Sequence, residues 1–173
     1  LILEEKLDII FVGVDFELML FSKFKSEIEL ETKCKIIISP SKVIEIGNDK
    51  YLTYKFLKKN NLNYPKTFLP NEIKFENIKF PIIVKPRVGA RSVGVYKVHN
   101  LEDLKSKIKT IVNPIIQEYI GDESDEYTCG IIYFDQELKS SIAIKRTLKN
   151  GNTFISEFNN SSSKEIDKYI LRI

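Results

Sequence analysis

A lysine carried by an apolar run into a glycine-bearing loop is the arrangement in this chain best suited to chemistry. Residues 80–95 read FPIIVKPRVGARSVGV. The run Pro81 to Val84 ends at Lys85, and Gly89, Ser92 and Gly94 follow, with Arg87 and Arg91 beside them. A strand fixes the cation, glycines let backbone N–H groups close on an anion, and the arginines add charge. Polyphosphate is the ligand such a loop suits. A basic loop after a strand is also commonly a solvated turn, so the reading depends on the segments around it.

Those segments belong to an ordinary globular chain. At 173 residues it can form one domain or two small ones around a real core. Apolar and charged fractions of 43% and 29% exclude a disordered polymer. No apolar run approaches the roughly 20 residues of a membrane-spanning helix, so no membrane partner is expected. The opening LILEEKLDIIFVGV has early acids and no small-residue cleavage site, which argues against a secretory leader. It also lacks an initiator Met and opens within an apparent helix end, so a piece of a longer protein is expected. Cys34 and Cys129 lie far apart in apolar, strand-like surroundings and read as two buried, reduced thiols, consistent with a cytoplasmic location. With one histidine, His99, and no cysteine pair, a zinc site or a Cys–His nucleophile is not expected. The net charge of +3 is mild, so local clustering of cations matters more than the total.

Hydrophobic periodicity places the elements. Ile9 to Val14 reads as a strand buried on both faces, and Leu18, Phe21, Phe24 and Ile28 recur at helical spacing. Cys34 to Ile38 reads as a second buried strand closed by Ser39-Pro40-Ser41. Asn48 or Asp49 can cap a helix from about Lys50 to Asn60. The stretch 61–77, with Pro65 and Pro70, reads as a loop. From Phe80 a β-loop-β-α-β unit follows: a strand over Gly94 to Val98, a helix capped by Asn100 with a stripe of Leu101, Leu104, Ile108 and Ile111, then a strand from Ile115 to Ile120. After the acidic run 121–126 come three antiparallel strands, 127–134, 138–146 and 153–158, with Asn150-Gly151 as a hairpin signal. A last helix with Ile166 and Ile170 four apart follows Ser161-Ser162-Ser163.

Three segments in order, IGNDKYLTYKFLKKNNLNYPKT, FPIIVKPRVGARSVGV and IIQEYIGDESDEYTCGIIY, resemble the ATP-grasp superfamily. The likeness is greatest to the carbamoyl phosphate synthase large-chain branch and to the stand-alone ligases that join carboxylates to amines. It implies an α/β fold with an α+β lid, incomplete here. Residues 1–46 would end a preceding parallel α/β domain, 47–79 hold a capped helix and linker, 80–120 form the lid, and 121–173 begin an antiparallel C-terminal subdomain.

The resemblance also implies roles. Lys50 corresponds to a basic residue reaching toward nucleotide phosphates; at a helix N-terminus a lysine opposes the helix dipole, which suggests a nearby anion, although a solvated first-turn lysine reads the same way. Lys85 matches the lysine on the α- and β-phosphates. Gly89, Arg91, Ser92 and Gly94 match the loop that folds over the phosphates, with Arg91 standing where glycine is often found. Gln117, Glu118, Tyr119 and Ile120 match the adenine hinge, where one backbone C=O and one N–H two residues apart suffice; the bare alternative is a buried strand. Glu126 matches the acid on the ribose hydroxyls, in competition with Asp122, Glu123 and Asp125. Lys145 and Arg146 are a further cationic pair that the family can turn to phosphate and that solvent can equally hold.

The implied reaction is carboxylate activation by ATP. The γ-phosphoryl group passes to bicarbonate or an amino acid, and ammonia or an amine attacks the acyl phosphate. Small carboxylates and amines are then the partners, a homodimer is an admissible assembly, and Mg²⁺ is the implied ion, with ligands expected beyond Ile173. Taken alone, the piece is expected to lack turnover. Two other classes compete: a non-catalytic nucleotide-binding or interaction module, and a nucleic-acid binder using Lys85, Arg87 and Arg91. The last lacks an exposed aromatic platform and a strongly basic face, so no nucleic acid is expected.

Overall fold

The computed structural model describes residues 1–121, 125–149, 151–158, 164–166 and 168–169. Two compact units divide the chain at Asn60 and Asn61.

In the first unit, β1 (Ile9–Phe11) and β2 (Lys35–Ile37) pair in parallel, joined by α1 (Asp15–Thr32). The Glu29 carboxylate on α1 accepts the Ile36 amide at 2.8 Å and so fastens helix to strand. Ile36 is fully buried, but Ile9 is 52% exposed and Phe11 76% exposed. The expectation of strands buried on both faces therefore fails. In a two-stranded sheet only one face is covered by the helix, and period 2 turns Ile9, Phe11, Lys35 and Ile37 to the other. Two short helices follow, α2 (Ser41–Asn48) and α3 (Lys50–Lys59). The residues Ser39-Pro40-Ser41 open α2 rather than merely closing β2, because proline at the N-cap has no donor to lose. Asp49 is the cap of α3, its carboxylate accepting the Tyr51 and Leu52 amides at 2.8 and 3.3 Å. The Thr53 hydroxyl ties α3 to the Ile46 carbonyl of α2 at 2.7 Å.

The second unit contains the antiparallel sheet β3-β6-β4-β5, built from β3 (Thr67–Phe68), β4 (Ile82–Pro86), β5 (Tyr96–Val98) and β6 (Pro114–Glu118). Helix α4 (Leu101–Thr110) lies on one face. Asn100 caps it by accepting the Asp103 amide at 2.9 Å. The core is Ile82, Val84, Val98 and Ile116 against Leu104, each at most 5% exposed. Alternation turns Ile83, Lys85, Lys97, Gln117 and Thr67 to the opposite face. The stretch 61–77 thus contains one strand, β3, and a 3-10 turn at Phe75–Asn77, instead of loop throughout.

Three long antiparallel strands complete the unit: β7 (Glu126–Phe134), β8 (Glu137–Lys149) and β9 (Asn152–Phe158). Gly151 turns the β8–β9 hairpin at φ 76°, a left-handed conformation that costs glycine nothing. Their side chains are mostly exposed, with Ala143 buried. Cys34 is buried as expected, whereas Cys129 on β7 is exposed. An apolar neighbourhood in sequence buries a thiol only where a second layer covers that face. Lys164–Ile166 is helical; Asp122, Glu123, Asn150, Ser161-Ser162-Ser163 and Ile170 lie outside the described residues.

Candidate functional site

The face of the four-stranded sheet opposite α4 carries two of the residues singled out by sequence, Lys85 and Gln117. Lys85 sits next to last on β4, opposite Ile115 of β6, and Gln117 lies two residues further along β6 on the same face. The Lys85 ammonium donates to Gln117 Oε1 at 2.6 Å. Gln117 Nε2 donates to Thr67 Oγ1 at 2.8 Å, and that hydroxyl donates to the Pro65 carbonyl at 2.9 Å. Thr67 is 1% exposed, so the chain of bonds has a buried anchor. Lys97 on β5 lies in the same row as Gln117, across Ile83, and its ammonium stands 3.8 Å from the centre of the Tyr119 ring. Two lysines therefore reach the face that α4 does not cover.

The loop after β4 bends back toward the strand it leaves. Gly94 has φ 72°, and a Cβ there would stand 3.1 Å from Pro86 Cγ, so a side chain would push the loop off β4. Gly89 also has positive φ. Arg91 and Ser92 hold φ values of 55° and 57°. Residues with a Cβ pay on the order of 1 kcal/mol each to remain in that region. Arg91 thus occupies a glycine-type conformation as well as a glycine-type position. What holds it is visible in the hairpin: a Cβ at Gly151 would stand 2.5 Å from the Arg91 carbonyl oxygen and 2.9 Å from Ser92 Cβ. The loop rests on a turn that only glycine can form at that distance.

Just before β3, Lys66 and the end of β6 are joined by two hydrogen bonds. The Glu118 amide donates to the Lys66 carbonyl at 2.8 Å. The reciprocal bond is displaced, because the Lys66 amide donates instead to the Glu118 carboxylate at 3.1 Å. Ile120 follows outside the ladder and is 63% exposed.

Glu126 stands elsewhere, at the start of β7, opposite Arg146 of β8. Arg146 Nε donates to its carboxylate at 2.9 Å and the terminal guanidinium nitrogen makes a second bond to the same oxygen. Asp125 and Lys145 pair at 3.5 Å. The basic pair thus answers the acidic pair across the ladder. Lys50 belongs to the first unit, at the first position of α3. Burial lowers its pKa, and the neighbouring Asp49 carboxylate opposes that shift. A cavity of about 330 Å³ beside α1, lined by Leu20, Phe21, Phe24 and Glu27, contains none of these residues. Among the described residues no group of three His, Cys, Asp or Glu side chains could hold a metal ion. The described residues do not by themselves fit a resident divalent cation.

Thr67, Lys97 and the seat at Gly151 escaped the sequence reading. Thr67 lies on a two-residue strand, too short to show alternation. Lys97 was within reach, because alternation puts it opposite the core residue Val98.

A four-stranded antiparallel sheet backed by one helix, with a cationic glycine loop after β4, is an arrangement that suits the ATP-grasp proteins. The ATP-grasp domain family matches residues 47–157, and this chain belongs to it. D-alanine–D-alanine ligase A of Clostridium perfringens is 28% identical over 200 residues, covering 99% of this chain and 65% of the ligase. The D-alanine–D-alanine ligase of Petrotoga mobilis is 33% identical over 93 residues, covering 51% of this chain and 30% of the ligase. Among solved structures, the biotin carboxylase domain of Hydrogenobacter thermophilus 2-oxoglutarate carboxylase matches with a TM-score of 0.76 at 13% identity, over 99% of this chain and 42% of that one. The D-alanine–D-alanine ligase of Bacillus anthracis matches with a TM-score of 0.68 at 20% identity, over 98% of this chain and 61% of that one. At such identities the structural likeness shows the fold alone. The chain spans between 30% and 65% of the length of the two curated ligases. No helix among the described residues is long and apolar enough to cross a membrane.

Proposed function

We propose that this chain is the ATP-binding portion of an ATP-dependent ligase that activates a carboxylate as an acyl phosphate for attack by ammonia or an amine. The observation that carries the reading is the Lys85 ammonium, held at 2.6 Å by Gln117 on the face of the sheet opposite α4, with the glycine loop bent back beside it. In this reading Lys85 neutralises the α- and β-phosphates and the amides of residues 89–94 close on the remaining oxygens. The Glu118 carbonyl and Ile120 amide take the adenine edge. Lys50 adds a cation whose buried position costs least once an anion is bound. Glu126 meets the ribose hydroxyls while Arg146 fixes its carboxylate.

The chemistry would run in two steps. A carboxylate oxygen attacks the γ-phosphorus and ADP leaves; the amine nitrogen then attacks the acyl carbon and inorganic phosphate leaves. Positioning and charge neutralisation supply most of such catalysis, and water must be kept from the acyl phosphate. The names of the curated relatives favour an amino acid as the activated carboxylate. The bicarbonate bound to the biotin carboxylase neighbour represents the other choice, which a carbamoyl phosphate synthase-like reaction would use. The test is ADP release by the full-length protein with a panel of carboxylates and amines. Release that requires both substrates supports the ligase. Binding of ATP without turnover across the panel supports a non-catalytic nucleotide module instead, a reading favoured by Arg91 holding φ 55° in the loop that must move.

A further inference from the structure

We propose that Gln117 and Thr67 form a positioning relay for Lys85, so that Gln117 acts on the phosphate lysine rather than on the base. The inference rests on the nucleotide reading above and deepens it. An ammonium can only donate, so the Gln117 atom facing Lys85 must be Oε1, and the amide nitrogen must face Thr67. Thr67 Oγ1 accepts that bond and spends its own proton on the Pro65 carbonyl. Each of the three groups therefore has one orientation, and donation runs one way along the relay, from Lys85 to the Pro65 carbonyl.

Its anchor is buried, with Thr67 at 1% exposure, whereas the lysine end is half-buried. Pro65 precedes Lys66, whose amide and carbonyl both bond Glu118. The hinge edge and the phosphate lysine are consequently tied to the same three residues, 65–67. A neutral amide is the link that suits this task. It fixes the direction of the ammonium without cancelling its charge, as a carboxylate at 2.6 Å would.

The relay can be read without nucleotide. In side-chain ¹⁵N spectra of the full chain, the ammonium signal assigned through Lys85→Arg is expected to exchange slowly. Thr67→Val removes the anchor hydroxyl at nearly constant shape and should speed that exchange about tenfold, the loss of one neutral hydrogen bond that orients the Gln117 amide. Thr67→Ser retains the hydroxyl and should restore slow exchange. Gln117→Met, which removes the middle link, should match Thr67→Val and stands in for it should that variant not fold. In titrations with ADP and adenosine, Thr67→Val should weaken ADP about tenfold and leave adenosine unchanged, because adenosine has no phosphates for Lys85. Wild-type exchange in both Thr67→Val and Gln117→Met overturns the proposal. Equal losses for ADP and adenosine also overturn it, since Gln117 would then act at the base. Absence of ADP binding by wild type, with the exchange pattern as expected, leaves the relay standing and strikes the nucleotide reading alone.

Discussion

Replacing Gly151 by alanine should unseat the 89–94 loop without altering any residue of it. Two costs meet at this position. Its φ of 76° lies in the left-handed region, where a Cβ costs about 1 kcal/mol. The new methyl would also stand 2.5 Å from the Arg91 carbonyl oxygen, whereas carbon and oxygen ordinarily approach to about 3.3 Å. The loop or the turn must therefore retreat by roughly 0.8 Å, the difference between those distances. The backbone cost falls on the turn whether the loop is open or seated, so only the lost contact biases the loop, by about 1 kcal/mol, equivalent to a rise of roughly 5-fold in its open population. Trypsin reads this directly, because Arg91 is itself a cleavage site and cutting follows the open population when reclosing is fast. Gly121→Ala is the control: φ there is 86°, yet nothing lies within 4 Å of the added Cβ, so it isolates the backbone cost. Cleavage after Arg91 should accelerate in Gly151→Ala and not in Gly121→Ala. Equal cleavage in wild type and Gly151→Ala would refute the seat.

Other perturbations probe separate parts of the account. Lys50 is held below the free-lysine pKa by burial, so its charge costs stability wherever both folded and unfolded chains carry the proton. That cost is relieved as pH rises through the folded value toward the unfolded one. Lys50→Met should accordingly raise Tm at neutral pH, by an amount that shrinks as the free-lysine pKa is approached, and a difference that grows instead would reject the assignment. Leu104→Ala empties the centre of the lid core and should cost about 2–5 kcal/mol in denaturant unfolding; a loss under about 1 kcal/mol would mean the α4 contact is not structural. A thiol reagent should modify Cys129 in the native chain and leave Cys34 until unfolding. Comparable rates at the two would contradict their different burial.

How far the sequence disclosed this structure varied with the length of each element and with what covers it. The unit from Ile82 to Glu118 was readable because Leu104 and Ile108 repeat over two helical turns and Asn100 and Asn113-Pro114 mark the ends. Lys85 was readable for the same reason: an apolar strand has only one exit. Strand β3 was hidden, since two residues between prolines show no period, and with it went Thr67. Exposure was the other blind spot. Ile9, Phe11 and Cys129 look like core by composition, but whether a strand face is covered depends on distant chain. The seat of the loop at Gly151 joins residues about 60 apart, a distance at which local pattern carries no information. The role of Arg146 was open in the sequence because a cationic strand end could face phosphate or solvent; antiparallel register across β7 and β8 instead sets it against Glu126.

The most direct test of nucleotide binding on the lid sheet is a titration of the full chain with ADP, followed residue by residue in amide NMR spectra. The account predicts shifts concentrated at Gly89 to Gly94 and at Ile120, with the Leu104 core nearly silent, and their loss in Lys85→Met. Shifts confined to the apolar groove along α1, or none at saturating ADP, would contradict it.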